Sequence, residues 1–228
     1  MGDSLLYLSF GAQLLAFTAI LAVRRPVPRA LLLTAVTMLV MFLLDVTAIS
    51  LGKGGTQTLW LIHVALPVIT ALILWSLSYL QLHIVPRDTM RIAAGLYVMV
   101  WLVMTGLVED LSQFSRFTAP LQALVVLVAA AYTLVTRLKR SSTPAAAPWF
   151  WISIGWLLYF GSGAVLDPIS DMLLTANSME YLRAVFYVKA IINLLAYALL
   201  TLGVLCGRSS LRFGGSVSPP PAPLRSSS

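Results

Sequence analysis

Charge is what this sequence has least of. Only 10% of its residues are Asp, Glu, Lys or Arg, where a soluble domain carries about 25%, and 59% are hydrophobic. A chain of 228 residues cannot hide so much apolar surface in one core, so lipid must serve as solvent for much of it. Cysteine is nearly absent too. The single Cys206 excludes an internal disulfide and any cysteine metal cluster, and it reads as a packing residue at the inner end of the last helix.

The two histidines, His63 and His83, fall 20 residues apart on one expected helix. That is about 30 Å at about 1.5 Å per residue, too far to share an ion. There is no His-Glu-x-x-His motif, and Gly161-Ser162-Gly163 is too short for a Gly-x-Ser-x-Gly nucleophile elbow. Metal-dependent hydrolysis is thereby disfavoured, while a metal-free intramembrane enzyme acting on lipid, using Asp45 and His63, stays open. The net charge of +7 comes from short basic clusters between apolar runs, which is a topology signal and no nucleic-acid surface. The start, Met1-Gly2-Asp3-Ser4, lacks the basic region of a cleavable signal peptide and reads as a retained helix.

What is present is a series of apolar runs, each long enough to cross a bilayer. They predict an all-α polytopic bundle of seven transmembrane helices at about residues 4–23, 30–51, 58–85, 92–108, 119–137, 148–166 and 179–206. Asp167-Pro168 reads as an N-cap followed by proline at a first helical position, opening a short interfacial turn. Residues 1–208 form the membrane domain, and the Ser/Pro-rich segment 209–228 is expected to be a disordered tail.

Orientation follows from the loops. Arg24, Arg25, Arg29, Arg87, Arg91, Arg137, Lys139, Arg140, Arg208, Arg212 and Arg225 fall on one side, against Lys53, Arg116 and Arg183 on the other. Asp3, Glu109, Asp110, Asp167, Asp171 and Glu180 share the Arg-poor side. The positive-inside rule then places the N-terminus outside and the C-terminus in the cytoplasm of a cell whose plasma membrane the chain is expected to cross. Trp60, Trp149 and Trp151 fit interfacial aromatic belts.

Ionisable groups within the hydrocarbon are costly and mark candidate sites. Asp45, His63 and Lys189 all fall in the outer half of the expected bundle, with Asn193 and Tyr197 continuing the face of Lys189 at i+4 and i+8. Gln13, Gln122 and Thr70 are neighbours in the same reading, and Glu109 and Asp167 sit at the rim. The simplest arrangement is an Asp45–Lys189 ion pair between helices 2 and 7, completed by His63 and Asn193. Such a network serves either as interhelical glue, as an outward-facing ligand or ion pocket, or as a proton relay. Gly203-x-x-x-Gly207 and Ala12-x-x-x-Ala16 are expected to serve close packing within the chain. Pro67 and Pro120 are expected to bend helices 3 and 5.

Three resemblances bear on function. Seven helices with a helix-7 lysine, and Trp156-x-x-Tyr159 in helix 6, resemble microbial rhodopsins, which would imply retinal on Lys189. Helix 3 lacks a counterion carboxylate, however, and Val185 stands four before Lys189 where that family has Asp. The helix count is similar to that of the PQ-loop sugar carriers, a small-solute transporter plan, but no Pro-Gln dipeptide occurs. The widest resemblance rests on Leu59-Trp60-Leu61-Ile62-His63, on Pro148-Trp149-Phe150-Trp151-Ile152-Ser153-Ile154-Gly155, on Tyr159 and on Lys189-Ala190-Ile191-Ile192-Asn193-Leu194-Leu195. On these the chain resembles small bacterial seven-helix membrane proteins of unknown function, similar to membrane-embedded sensor regions of some histidine kinases. That resemblance implies a ligand-binding or sensory role exercised through a protein partner in the membrane or cytoplasm, and no activity of its own.

Overall fold

A computed structural model describes residues 2–21, 27–53, 58–109, 111, 115, 117–176 and 178–213, with no side-chain description at 2–7, 9, 175 and 208–213. Arg24, Arg25, Asp110, Arg116, Arg225 and the tail from residue 214 lie outside the described residues. The described residues form seven α-helices: α1 (Gly2–Leu21), α2 (Arg29–Lys53), α3 (Leu59–Tyr79), α4 (Ile84–Leu107), α5 (Thr118–Leu138), α6 (Pro148–Thr175) and α7 (Met179–Phe213). A single 3-10 turn at Pro144–Ala146 precedes α6. Six of the helices, α2 to α7, are long and apolar enough to cross a membrane, and α1 adds the apolar stretch Phe10–Leu21. Helices satisfy their own backbone hydrogen bonds, which is what lipid demands of a spanning segment. The chain is built as a multi-pass membrane protein.

The helices close into a ring in the order α7, α1, α2, α3, α5, α6 and back to α7, with α4 packed outside it against α3 and α5. Accordingly α4 buries only the stripe Met90, Ala94 and Tyr97, at i, i+4 and i+7, whereas α3 is buried on most sides. Polarity runs inside out. Large apolar side chains such as Leu43, Ile92, Val128 and Ile191 are exposed, while Gln13, Thr34, Thr37, Thr70, Ser76 and Ser153 are fully buried. Buried hydroxyls spend their hydrogens on the preceding turn, as Thr34 Oγ1 does on Ala30 O (2.9 Å) and Thr70 Oγ1 on Leu66 O (2.7 Å). Ser76 Oγ of α3 lies 2.8 Å from both Ala30 O and Thr34 Oγ1, so the two hydroxyl hydrogens are shared among three close contacts that tie α3 to α2.

Small residues set the closest helix approaches. A Cβ on Gly203 would lie 3.1 Å from both Ile152 N and Pro148 O, and one on Gly155 would lie 3.2 Å from Ala196 O, so α6 and α7 meet nearly backbone to backbone. Gly207 faces the Leu31 side chain of α2, and Ala12 O accepts from Thr201 Oγ1 of α7 at 3.3 Å. Both small-residue motifs therefore face neighbours within the chain.

Several sequence expectations need correction. The apolar run 58–85 is not one helix: α3 ends at Tyr79, and α4 opens at Ile84 with His83 as its extended N-cap. Pro86 falls in the first turn of α4, where a missing amide costs nothing, so the hydropathy continued smoothly across a true break. Asp167-Pro168 is no helix start either, since α6 runs through Pro168 to Thr175, an interior proline of the kind membrane helices tolerate. Trp149 lies in the core, 8% exposed, whereas Trp60 is 44% exposed at the start of α3. Helix α7 itself runs on to Phe213.

Candidate functional site

The helix ends divide the bundle's polar groups into two sets. Arg29 begins α2, Arg87 and Arg91 lie near the start of α4, and Arg137 closes α5, where its Nε donates to Leu80 O at 2.7 Å. The opposite, Arg-poor end carries all seven residues singled out from sequence, in three separate groupings and not in one.

The first grouping joins α6 to α7. Lys189 Nζ forms an ion pair and hydrogen bond with Asp167. One turn further along α7, Asn193 Oδ1 accepts from Ser162 Oγ of α6 at 3.5 Å. The continuation of α6 through Pro168 is what brings Asp167 alongside Lys189. The expected Asp45–Lys189 pairing is thus not the one made, because a nearer carboxylate on the adjacent helix takes the ammonium.

The second grouping links α1, α2, α6 and α7. Asp45 Oδ2 accepts from Gln13 Nε2 at 3.0 Å. Tyr197 is buried, and its ring packs on that of Tyr159 with centroids 5.6 Å apart. Tyr159 also lines the cleft that Asp167 and Lys189 line. Tyr159 therefore stands between the first two groupings, a bridging role that its sequence signal, an aromatic in an apolar helix, did not disclose.

The third grouping caps α5. Glu109, just past α4, accepts at Oε1 from the amides of Phe117 (2.7 Å) and Thr118 (3.0 Å) and from Ser115 Oγ (3.1 Å). Its Oε2 accepts from Thr118 Oγ1 at 2.6 Å. Burial raises the Glu109 pKa, but the Thr118 hydroxyl and amide, the Phe117 amide and the Ser115 hydroxyl outweigh it and hold the carboxyl below its usual range. A carboxylate there answers the unsatisfied amides and positive potential of a helix start. His63 of α3 is 1% exposed and places Nδ1 3.9 Å from Glu109 Oε2, while Tyr97 of α4 donates to Thr118 O at 3.0 Å. His63 and Glu109 thus belong to a junction of α3, α4 and α5, away from Lys189.

Between the first and third groupings lies a cleft of about 1440 Å³. Leu59 and Leu66 of α3, Ala119 and Leu127 of α5, and Phe160 and Ala164 of α6 are among the residues that wall it. Its lining is mainly apolar, and the polar groups are Ser115, Gln122, Tyr159, Asp167, Asp171 and Lys189. Gln122 is anchored, its Nε2 donating to Leu66 O at 3.2 Å. A body of hydrocarbon with one or two polar groups would suit such a space, its apolar part along α5 and its polar part at the Lys189–Asp167 pair. Among the described residues, no three His, Cys, Asp or Glu side chains gather closely enough to hold a metal ion. The chain matches no family model, and neither a curated protein nor a solved structure is found to match it.

Proposed function

We propose that this chain is a ligand-binding or sensory membrane protein that crosses the bilayer seven times, N-terminus outside, and acts through a partner. The observation that carries the reading is the cleft between α3, α5 and α6, large enough for a small amphipathic molecule and closed at one side by Lys189 and Asp167. Orientation rests on the arginines: by the positive-inside rule the end bearing Arg29, Arg87, Arg91 and Arg137 faces the cytoplasm of a bacterial cell, so the cleft opens outward. The ligand would contact Lys189, Asp167, Tyr159 and Gln122, with Asp45, Asn193 and Tyr197 behind them. His63 and Glu109 hold the wall formed by α3 and α5. The short loops leave no soluble catalytic domain among the described residues, so the consequence of binding passes to a neighbour.

The test is purification in mild detergent, mass spectrometry of what co-purifies, and comparison with Ala164→Phe, which fills the cleft from its α6 wall. A small molecule retained by the wild type and lost from the variant, with unchanged melting, is the expected result. Equal retention by both would overturn the reading. So would a visible absorption band bleached by hydroxylamine, which would point to a chromophore on Lys189, or solute movement by the empty protein in liposomes, which would point to transport.

A further inference from the structure

At the arginine-rich end, α2 and α4 pack on either side of α3, and three guanidiniums converge on one ring. The centres of Arg29, Arg87 and Arg91 lie 5.8, 5.1 and 5.2 Å from the centroid of Tyr79, the last residue of α3. One aromatic face attracts a cation, but it cannot offset the mutual repulsion of three like charges gathered around it. Asp88 supplies a carboxylate 3.8 Å from Arg91, and its side chain is 54% exposed. Ser78 Oγ accepts from Arg91 Nε at 3.4 Å, and Arg87 Nε is buried without a hydrogen-bond partner. Arg29 and Arg87 also sit in the first turns of α2 and α4, where the helix dipole adds positive potential and disfavours cations. The cluster holds more positive charge than its protein neighbours neutralise.

The same face runs on toward the middle of the bundle as an apolar track. Trp75, one turn deeper than Tyr79 on α3, is 45% exposed, and Leu32 of α2, one turn beyond Arg29, is 43% exposed. On α4, one turn beyond Arg91, Gly95 faces open space. Here α3 lies between α2 and α4, with charge gathered at its end and exposed apolar side chains one turn below.

We propose that Arg29, Arg87 and Arg91, gathered on Tyr79, bind the phosphate of an anionic phospholipid whose acyl chain lies along α3 over Trp75. Guanidinium forks match phosphate oxygens in pairs, and basic pockets between membrane helices hold anionic headgroups. A soluble phosphate would satisfy the charge but leave the apolar track unused. The site is separate from the cleft and does not depend on its ligand.

The experiment is native mass spectrometry of the full chain titrated with phosphatidylglycerol or phosphatidylcholine. The double variant Arg87→Gln/Arg91→Gln should hold phosphatidylglycerol about thirty-fold more weakly, with phosphatidylcholine unchanged. Lys139→Gln/Arg140→Gln, which removes two exposed charges at the same end, should change it by less than about threefold. Should the glutamine variant fail to fold, Arg87→Lys/Arg91→Lys keeps the charge but loses the paired geometry, and should bind about three- to tenfold more weakly than wild type. Equal losses from the two glutamine variants would reduce the effect to general surface charge and overturn the proposal. So would unweakened binding by the lysine variant, or displacement of the lipid by inorganic phosphate at matching concentration.

Discussion

Thr118 gives Glu109 both its hydroxyl, at 2.6 Å, and its amide, at 3.0 Å, so the carboxylate at the end of α4 completes the first turn of α5. The folded pKa of Glu109 lies below the 4.5 of an ordinary glutamate. The stability it contributes is therefore fully present above about pH 4.5 and is lost as pH falls through the lower folded value. Thermal melts of wild type and Glu109→Gln should differ at pH 7 and converge in acid. Replacement by Ala should cost about 1–3 kcal/mol at neutral pH, since it strands the Phe117 and Thr118 amides. A pH-independent gap between Glu109→Gln and wild type would exclude a charged cap.

Gly203 and Gly207 share one motif yet face different obstacles. At Gly203 a methyl group meets the backbone of Ile152 and Pro148, which cannot step aside, while at Gly207 it meets the flexible end of Leu31. Gly203→Ala should destabilise by about 1–3 kcal/mol through overpacking, and Gly207→Ala by clearly less. Chemical denaturation of the two variants in the same detergent decides the order.

Ser76 and Thr34 test how much a buried hydroxyl is worth between two membrane helices. Each can fall back on a carbonyl when the other is removed, because both bond Ala30 O. A double-mutant cycle with Ser76→Ala and Thr34→Ala should give a coupling of about 0.6 kcal/mol and no more than about 1.7. A larger value would mean that the hydroxyl pair holds α2 and α3 together in a way the shared acceptor does not suggest.

Lys189 and Asp167 differ in exposure, with side chains 27% and 57% exposed. Removing Asp167 leaves the more enclosed partner unmatched, so Asp167→Ala should destabilise more than Lys189→Ala. Both effects should stay near 1 kcal/mol or below. The charge-reversed double variant Lys189→Asp/Asp167→Lys should recover most of the loss. Absence of any recovery would show that the two groups act independently.

The helix count was legible because lipid-exposed segments must be apolar along their whole length, and the breaks between them are polar. Two boundaries escaped for the same reason in reverse. His83-Ile84-Val85-Pro86 is apolar enough to conceal the turn between α3 and α4, and Pro168 looks like a start where it is an interior residue. The polar residues themselves were conspicuous, since a carboxylate or ammonium in such a chain stands out. Their partners were not. Depth along a helix can be counted from its end, but which neighbour a side chain meets depends on rotation and on ring order, and hydropathy encodes neither. Hence depth alone matches Lys189 with Asp45, while the fold matches Lys189 with Asp167 and Asp45 with Gln13.

Helix α3 walls the cleft with Leu59, Ile62 and Leu66 at one end and carries Tyr79 at the other. Those positions are about 20–30 Å apart along one helix, with Pro67 in its interior. One helix shared by the proposed cleft and the proposed lipid site gives the two a physical route to coupling. If filling the cleft shifts α3, the affinity of the arginine site changes by some factor, and lipid in that site must change the cleft's affinity by the same factor.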